Sequence, residues 1–151
     1  MLVVGAFFGR AGGLIALGLV ATLGLVGATV ADQVDADKVV DRPATAAEVH
    51  PSYSMRVGEH SIDLSEVADP ENLDGRRIDV EGAVGSIDIL LPDDVRAVVD
   101  ARVTGFGGIK LFGDDRDGID VQARQTVGPP DAPTLTLDIE LSVGVIEVTT
   151  R

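Results

Sequence analysis

The sequence has no cysteine and very few aromatic residues, and both absences limit what the protein can be. Without cysteine there are no disulfides, no thiolate metal ligands and no cysteine nucleophile. Aromatic residues make up 3% of the 151 residues, so a hydrophobic core must be built from aliphatic side chains. The net charge of −13 repels phosphate backbones and argues against binding to nucleic acids.

Side chains that could carry chemistry are also scarce. His50 and His60 are the only histidines, and no further metal ligands are suggested around them. His60, Ser61 and Asp63 are the residue types of a catalytic triad, but neighbours on a strand point to opposite faces and no G-x-S-x-G elbow is present. We therefore expect no enzyme, no cofactor and no metal, and assign no catalytic, cofactor-binding or metal-binding residue.

Two glycine-containing segments invite a functional interpretation that their spacing does not support. GDDRDG at 113–118 fails the EF-hand pattern, because Gly113 stands at the first acidic position and Arg124 replaces the required Glu, so a solvated turn is expected. GFGG at 105–108 lacks the helix and the Lys-Ser/Thr pair of a phosphate loop. Phe106 and Phe112 allow an exposed patch, although core or edge packing is the favoured interpretation.

Residues 11–31 form a long uncharged segment near the N terminus. In helical form these 21 positions span about 30 Å, the thickness of a hydrocarbon core. We expect residues 1–31 to be a membrane anchor, in which the apolar residues 1–8 resemble the end of an earlier helix and one transmembrane helix follows. A cleaved signal peptide that ends at Ala31 is the alternative.

The charges around this segment indicate an orientation. Arg10 precedes the apolar segment, and Asp32 and Asp35 follow it, so the positive-inside rule favours an extracytoplasmic location for the rest of the chain. Residues 32–52 are polar, contain two prolines and show no sustained apolar period, so we expect a linker there. The domain that follows is predicted to occupy residues 53–151.

In this domain apolar and polar residues alternate, a pattern typical of half-buried β-strands. The alternating segments are Ile78–Glu81, Ile87–Leu91, Val99–Val103, Ile119–Arg124 and Leu135–Val143. Four shorter segments also share a design: VGEHSIDLS, VGSIDILLP, GFGGIKLFG and SVGVIEVTT. The repeats can be aligned on Ile62, Ile87, Ile109 and Ile146, and the spacing of these isoleucines is typical of stacked β-coils. In this alignment His60 stands where the other repeats have glycine.

The glycines of these repeats are predicted to be structural bends. Apolar positions are even-numbered before Gly85 and odd-numbered after it, and a similar change occurs at Gly144. Strict alternation can change parity only at a bulge or corner, which glycine forms with least strain. The predicted bends are Gly58, Gly85, Gly107, Gly108 and Gly144. The predicted fold is all-β, a short β-solenoid resembling a β-helix, with a β-sandwich as the alternative.

The motifs G-x-I-x-[IL]-x-[LP] and G-x-G-x-I-x-L-F-G resemble the C-terminal domain of LiaF-like proteins. They are most similar to the version that follows the membrane spans of actinobacterial PspC-domain proteins. The resemblance covers Tyr53–Arg151. It implies a bacterial membrane protein of the cell-envelope stress response, acting on a protein partner that could be a histidine kinase. The PspC segment and the earlier helices of that family are not present in this sequence.

Three functions are compatible with these features. The favoured one is a membrane-anchored, non-catalytic regulator of the envelope stress response that modulates a sensor kinase. A structural or self-associating envelope domain, a possible homo-oligomer that uses exposed sheet edges, is the first alternative. An exported domain that binds a small ligand is the second.

Overall fold

The computed structural model describes residues 37–151, and the regular structure of this part of the chain is almost entirely β. The strands are β1 (Asp37–Asp41), β2 (Ser52–Asp63), β3 (Arg76–Leu91), β4 (Arg96–Leu111), β5 (Asp114–Val127) and β6 (Thr134–Thr150). Two short 3-10 helices, Ala46–Glu48 and Pro70–Leu73, lie in the connections on either side of β2. The all-β prediction is confirmed for the described residues.

The prediction of a membrane anchor in residues 1–31 falls outside the described residues. Within residues 37–151, no helix has the length and hydropathy needed to cross a membrane.

The six strands form one sheet in the order β1-β2-β3-β6-β4-β5. Every neighbouring pair is parallel except β4 and β5, which form an antiparallel hairpin. The last strand in sequence, β6, therefore lies between β3 and β4. Its alternating Leu135, Leu137, Ile139 and Leu141 are all buried, as are the alternating residues of its neighbours β3 and β4.

The sheet begins earlier than the sequence indicated. Part of the predicted linker, residues 32–52, forms β1, which pairs with the second half of β2. Ala46 and Val49, from the same interval, are buried in the core. The prediction missed this strand because β1 has the sequence DKVVD, in which the two valines are adjacent and both exposed, so no alternation marks it.

The long strands cannot be straight. A straight strand of the length of β6, 17 residues, would extend for about 55 Å. However, Leu91 at the end of β3 pairs with Thr150, and Arg96 at the start of β4 pairs with Thr134. The five residue steps from Leu91 to Arg96 span at most about 18 Å. Both ends of β6 must therefore lie close together, which requires the sheet to fold back on itself.

The buried residues show where the inward-facing side of each strand changes. In β3 they are even-numbered up to Val80 and odd-numbered from Ile87. In β6 they change from odd at Leu141 to even at Ile146. Strand β4 keeps its parity because it has one extra residue at this point, where its register with β6 shifts between Val103 and Gly107. Side chains from both halves then join one hydrophobic cluster.

The pairing corrects the alignment of the first repeat. In the sheet, Ile87 pairs with Ile146, which pairs with Ile109, as the sequence repeat predicts. The residue that pairs with Ile87 in β2 is His60 and not Ile62. His60 thus replaces an isoleucine of the repeat, and Gly58 is the glycine of this strand. The sequence alignment was displaced by two residues because both strands contain S-I-D, at 61–63 and at 86–88, and the sheet does not bring these two copies into register.

Candidate functional site

Four of the five glycines predicted as bends lie in one row across the sheet. Gly58 pairs with Gly85, Gly85 with Gly144, and Gly144 with Gly107. Gly118 of β5 extends the row, because it pairs with Gly107. We call these five residues the glycine row.

A side chain has no room at three central positions of the glycine row. A Cβ added at Gly85 would overlap the carbonyl oxygen of Gly58, and the same relation joins Gly144 to Gly85 and Gly107 to Gly144. Gly58, Gly85 and Gly144 also have φ values of 137–144°, a region that L-residues rarely adopt. The remaining predicted bend, Gly108, lies next to the row and pairs with Val145 and Asp117, where an added Cβ would meet the Asp117 carboxylate.

His60 is the one polar residue in the described core. It is 5% exposed, and neither ring nitrogen has a hydrogen-bond partner within the described residues. The ring packs edge-to-face against Tyr53, with centroids 5.4 Å apart, and Tyr53 makes a similar contact with His50 at 5.6 Å. Burial lowers the pKa of His60, and the carboxylate of Asp41 opposes this effect. The imidazole is thus held in its neutral form.

The residues with the composition of a catalytic triad are not brought together. His60 faces the core, whereas Ser61 and Asp63 alternate with it and are partly exposed on the other side of β2. Asp63 accepts hydrogen bonds from the backbone and hydroxyl of Ser65 instead. Within residues 37–151, no cluster of three or more His, Asp or Glu side chains is arranged to hold a metal ion.

The segment 113–118 is also different from the expected turn. Leu111 pairs with Asp114, and the two residues between them, Phe112 and Gly113, both have positive φ. This is the signature of a two-residue hairpin with a type I′ turn. The acidic residues that follow belong to strand β5 and to the edge of the sheet.

Carboxylates occupy neighbouring positions on the solvent-facing side of the sheet. Asp79, Asp138 and Asp100 lie side by side on β3, β6 and β4. Arg77 forms ion pairs with the first two, and the Arg124 side chain lies 3.7 Å from the third. Like charges in adjacent positions destabilise a sheet, so these rows place negative potential on the surface at a cost in stability.

The second half of the sheet has a similar pair. Asp88 lies beside Glu147, whose carboxylate is 3.7 Å from the Lys110 amino group. Burial raises the pKa of Asp88, and the negative charges of Glu147 and Glu59 raise it further. Lys38 lowers this pKa, but its effect is smaller than that of either acidic neighbour.

Exposed large hydrophobic side chains lie at three places in the described part of the chain, one of which is Val84 on β3. Val39 and Val40 are on the edge strand β1, and Phe106 and Ile119, which are 50% and 78% exposed, face each other across β4 and β5. Phe112 is partly buried against the core. The exposure of Ile119 differs from the sequence prediction of a half-buried strand. Strand β5 has a neighbour on one side only, and Ala123 is its only buried residue.

Comparison with known proteins identifies the family. A family model described as "Cell wall-active antibiotics response LiaF, C-terminal" matches residues 49–148. The chain belongs to this family. The match confirms the resemblance seen in the repeat motifs, and it links the domain to the response to cell wall-active antibiotics. The LiaF-like domain thus comprises β2 to β6, with β1 preceding the matched range.

Other comparisons add less. A search of curated proteins found no match. A crystal structure of a proposed cell adhesion protein from Clostridium sporogenes is similar, with a TM-score of 0.47 and 18% sequence identity. The similarity covers 66% of this chain and 54% of that chain, so the LiaF-like chain spans about half the length of the solved protein.

Proposed function

We propose that this LiaF-like protein is a membrane-anchored, non-catalytic regulator that modulates a sensor kinase in the response to cell wall-active antibiotics. The family match over residues 49–148 is the observation that carries the proposal. The uncharged residues 11–31 support the anchor, and Arg10 before them supports an extracytoplasmic location for the domain.

We also propose that the sheet forms a short β-solenoid, with each long strand folded into one coil. The repeated glycines, the in-register isoleucines and the short connection between β3 and β4 support this architecture. Parallel stacking of such coils presents solvent-facing side chains in regular rows. A rigid surface of this kind suits recognition of another protein more than catalysis.

The function is tested by deleting the gene and measuring transcription of envelope-stress genes after a cell wall-active antibiotic. We expect deletion to change the response and the full chain to restore it. Residues 36–151 alone should fail, because tethering supplies the high local concentration that a weak contact requires. As a matched control, the same domain fused to an unrelated transmembrane helix of the same orientation should restore the response. An unchanged response in the deletion strain would refute the regulatory function.

Self-association is the second candidate, favoured by the exposed hydrophobic residues on the edge strands. Val39 and Val40 on β1 are 43% and 48% exposed, and Ile119 is exposed on β5 at the other edge. Unpaired edges of this kind can pair with a second chain. In-cell crosslinking distinguishes the candidates: recovery of homomers without a kinase favours the structural role, and recovery of a kinase favours regulation.

A further inference from the structure

A row of hydrophobic side chains runs across the sheet beside the glycine row, with one interruption at the register shift between β6 and β4. Each member is the residue next to a row glycine in its strand. The members are Val57 (β2), Val84 (β3), Val143 (β6), Phe106 (β4) and Ile119 (β5). Val57 pairs with Val84, Val84 with Val143, and Phe106 with Ile119. We call these five residues the corner stripe.

The corner stripe is accessible to a partner, and its exposure increases towards β5. Val57 and Val143 are half-buried, whereas Val84, Phe106 and Ile119 are exposed by 38%, 50% and 78%. Three of the five large hydrophobic residues exposed in the described part of the chain thus belong to this one row. The adjacent glycines have no side chains that could cover it. Exposed apolar residues grouped in this way mark an interaction site more often than scattered ones do.

Acidic residues border the stripe on both sides where it crosses β3 and β6, whereas Arg102 and Lys110 occupy the corresponding positions on β4. Glu81 and Glu140 lie three residues before Val84 and Val143, and they are paired with each other on β3 and β6. Neither has an ion-pair partner within the described residues. Asp88 and Glu147 lie four residues after the same two valines and are paired with each other on β3 and β6.

The position of the stripe restricts the partner's backbone. The stripe crosses β2, β3, β6 and β4, each of which has a paired strand on both sides. Their backbone groups are already used, so an extended peptide laid across them would leave its own N–H and C=O groups unpaired. A helix satisfies its backbone internally. Four strand spacings give the stripe a length of about 19 Å, which matches about 13 residues of helix.

We propose that the corner stripe is the docking site for an amphipathic helix of a partner protein, with an apolar face bordered by Lys or Arg. The acidic borders select this partner over two others. They would repel anionic lipid headgroups, and they would face one another in a symmetric pair of two copies of this chain. The identity of the partner as a signalling protein rests on the proposed function, whereas the chemistry of helix binding is independent of it.

The full chain in nanodiscs of zwitterionic lipid provides the test, with empty nanodiscs as background. The probe is a fluorescent synthetic 14-residue helix with leucines on one face and lysines along both borders of that face. We expect binding that weakens as salt increases, because the flanking contacts are between charges. A peptide of the same composition without the apolar face, and one with Glu in place of Lys, should bind at least about tenfold more weakly. Equal binding of either control peptide would overturn the proposal.

Matched variants locate the contact. Phe106→Ser with Ile119→Ser should weaken peptide binding about tenfold or more, whereas Val39→Ser with Val40→Ser removes as many exposed hydrophobic residues and should change it less than about twofold. If the first variant melts at a lower temperature, Ile119→Ser alone serves, since this side chain is already 78% exposed. Glu81→Gln with Glu140→Gln should reduce the salt dependence by about half, because Asp88 and Glu147 remain on the other border. Unchanged binding by the stripe variants would refute the site.

The same variants separate this proposal from the proposed function. We expect Phe106→Ser with Ile119→Ser to lose both peptide binding and the antibiotic response in cells. A variant that loses peptide binding but keeps the full response would show that the stripe is not the regulatory contact, and would leave the regulatory function intact. An unchanged response on gene deletion would refute the regulatory function, while the binding measurements would still decide whether the stripe takes a basic helix.

Discussion

Gly85 faces Gly58 in the parallel register of β3 and β2, so closely that a methyl group on Gly85 would overlap the Gly58 carbonyl oxygen. The neighbour is backbone and cannot rotate away. Two effects therefore require glycine at this position, the φ value of 144° and the steric contact. At Gly75 only the positive φ, 71°, favours glycine, because no atom lies within 4 Å of an added Cβ.

Alanine substitutions at these two glycines should separate the effects. We expect Gly75→Ala to lower the free energy of unfolding by about 1 kcal/mol, the cost of positive φ alone. Gly85→Ala should cost about 3 kcal/mol or more, because the strands must also move apart. The measurement is chemical denaturation of residues 36–151, which form a compact unit. Equal losses at both positions would show that contact across the glycine row has no energetic effect.

Replacing His60 should stabilise the domain and change its response to pH. His60→Ile restores the side chain that the other repeats have at this position and removes a buried group without hydrogen bonds. We expect a gain of about 1 kcal/mol in the free energy of unfolding at pH 7. Tyr53 would lose its edge-to-face partner, which opposes part of this gain.

The pH dependence follows from the lowered pKa of His60. In the unfolded chain the imidazole titrates near its ordinary pKa of about 6.5, whereas burial keeps it neutral to lower pH in the folded domain. Below pH 6.5 the unfolded state therefore binds more protons than the folded state, so the free energy of unfolding decreases as the pH falls. Denaturation between pH 7 and pH 5 should show a smaller loss for His60→Ile than for the unaltered domain. His50→Gln, at an exposed histidine, should retain the loss.

The sequence contained enough information to predict the strands that are half-buried, but not the order in which they pair. Alternation located β3, β4 and β6, because each buries one face over many residues. It could not place β6 between β3 and β4, since the same alternating pattern would suit any interior position. Strand β1 was missed because its adjacent valines are both exposed, and Ile119 was expected to be half-buried because an edge strand can alternate without being covered.

The corner stripe was also beyond the reach of sequence reasoning. Its five members come from five strands and form a row only through the register of the sheet. Phe106 and Phe112 were considered as a patch because they are close in sequence, but the structure pairs Phe106 with Ile119 instead and packs Phe112 partly against the core. The signal that could have found the row is the hydrophobic residue that precedes the glycine in each parallel repeat.

Removing β6 should abolish folding, whereas removing β1 should not. Strand β6 pairs with both β3 and β4 and contributes Leu135, Leu137, Ile139, Leu141, Ile146 and Val148 to the core. Burial of six aliphatic side chains is worth about 10 kcal/mol, comparable to the entire stability of a typical domain. Strand β1 pairs with β2 alone, over five residues, and exposes both of its valines.

We expect residues 36–133 to lack a cooperative thermal transition, while residues 42–151 retain one at a lower temperature. Because the central strand follows the other five in sequence, the sheet cannot close until residues 134–150 are available, and most of its pairings are distant in sequence. Such a topology predicts slow refolding.

A peptide of residues 134–151 added to residues 36–133 should restore β-structure, measured by circular dichroism, if the missing strand is the only defect. A cooperative transition in residues 36–133 alone would contradict the central role of β6.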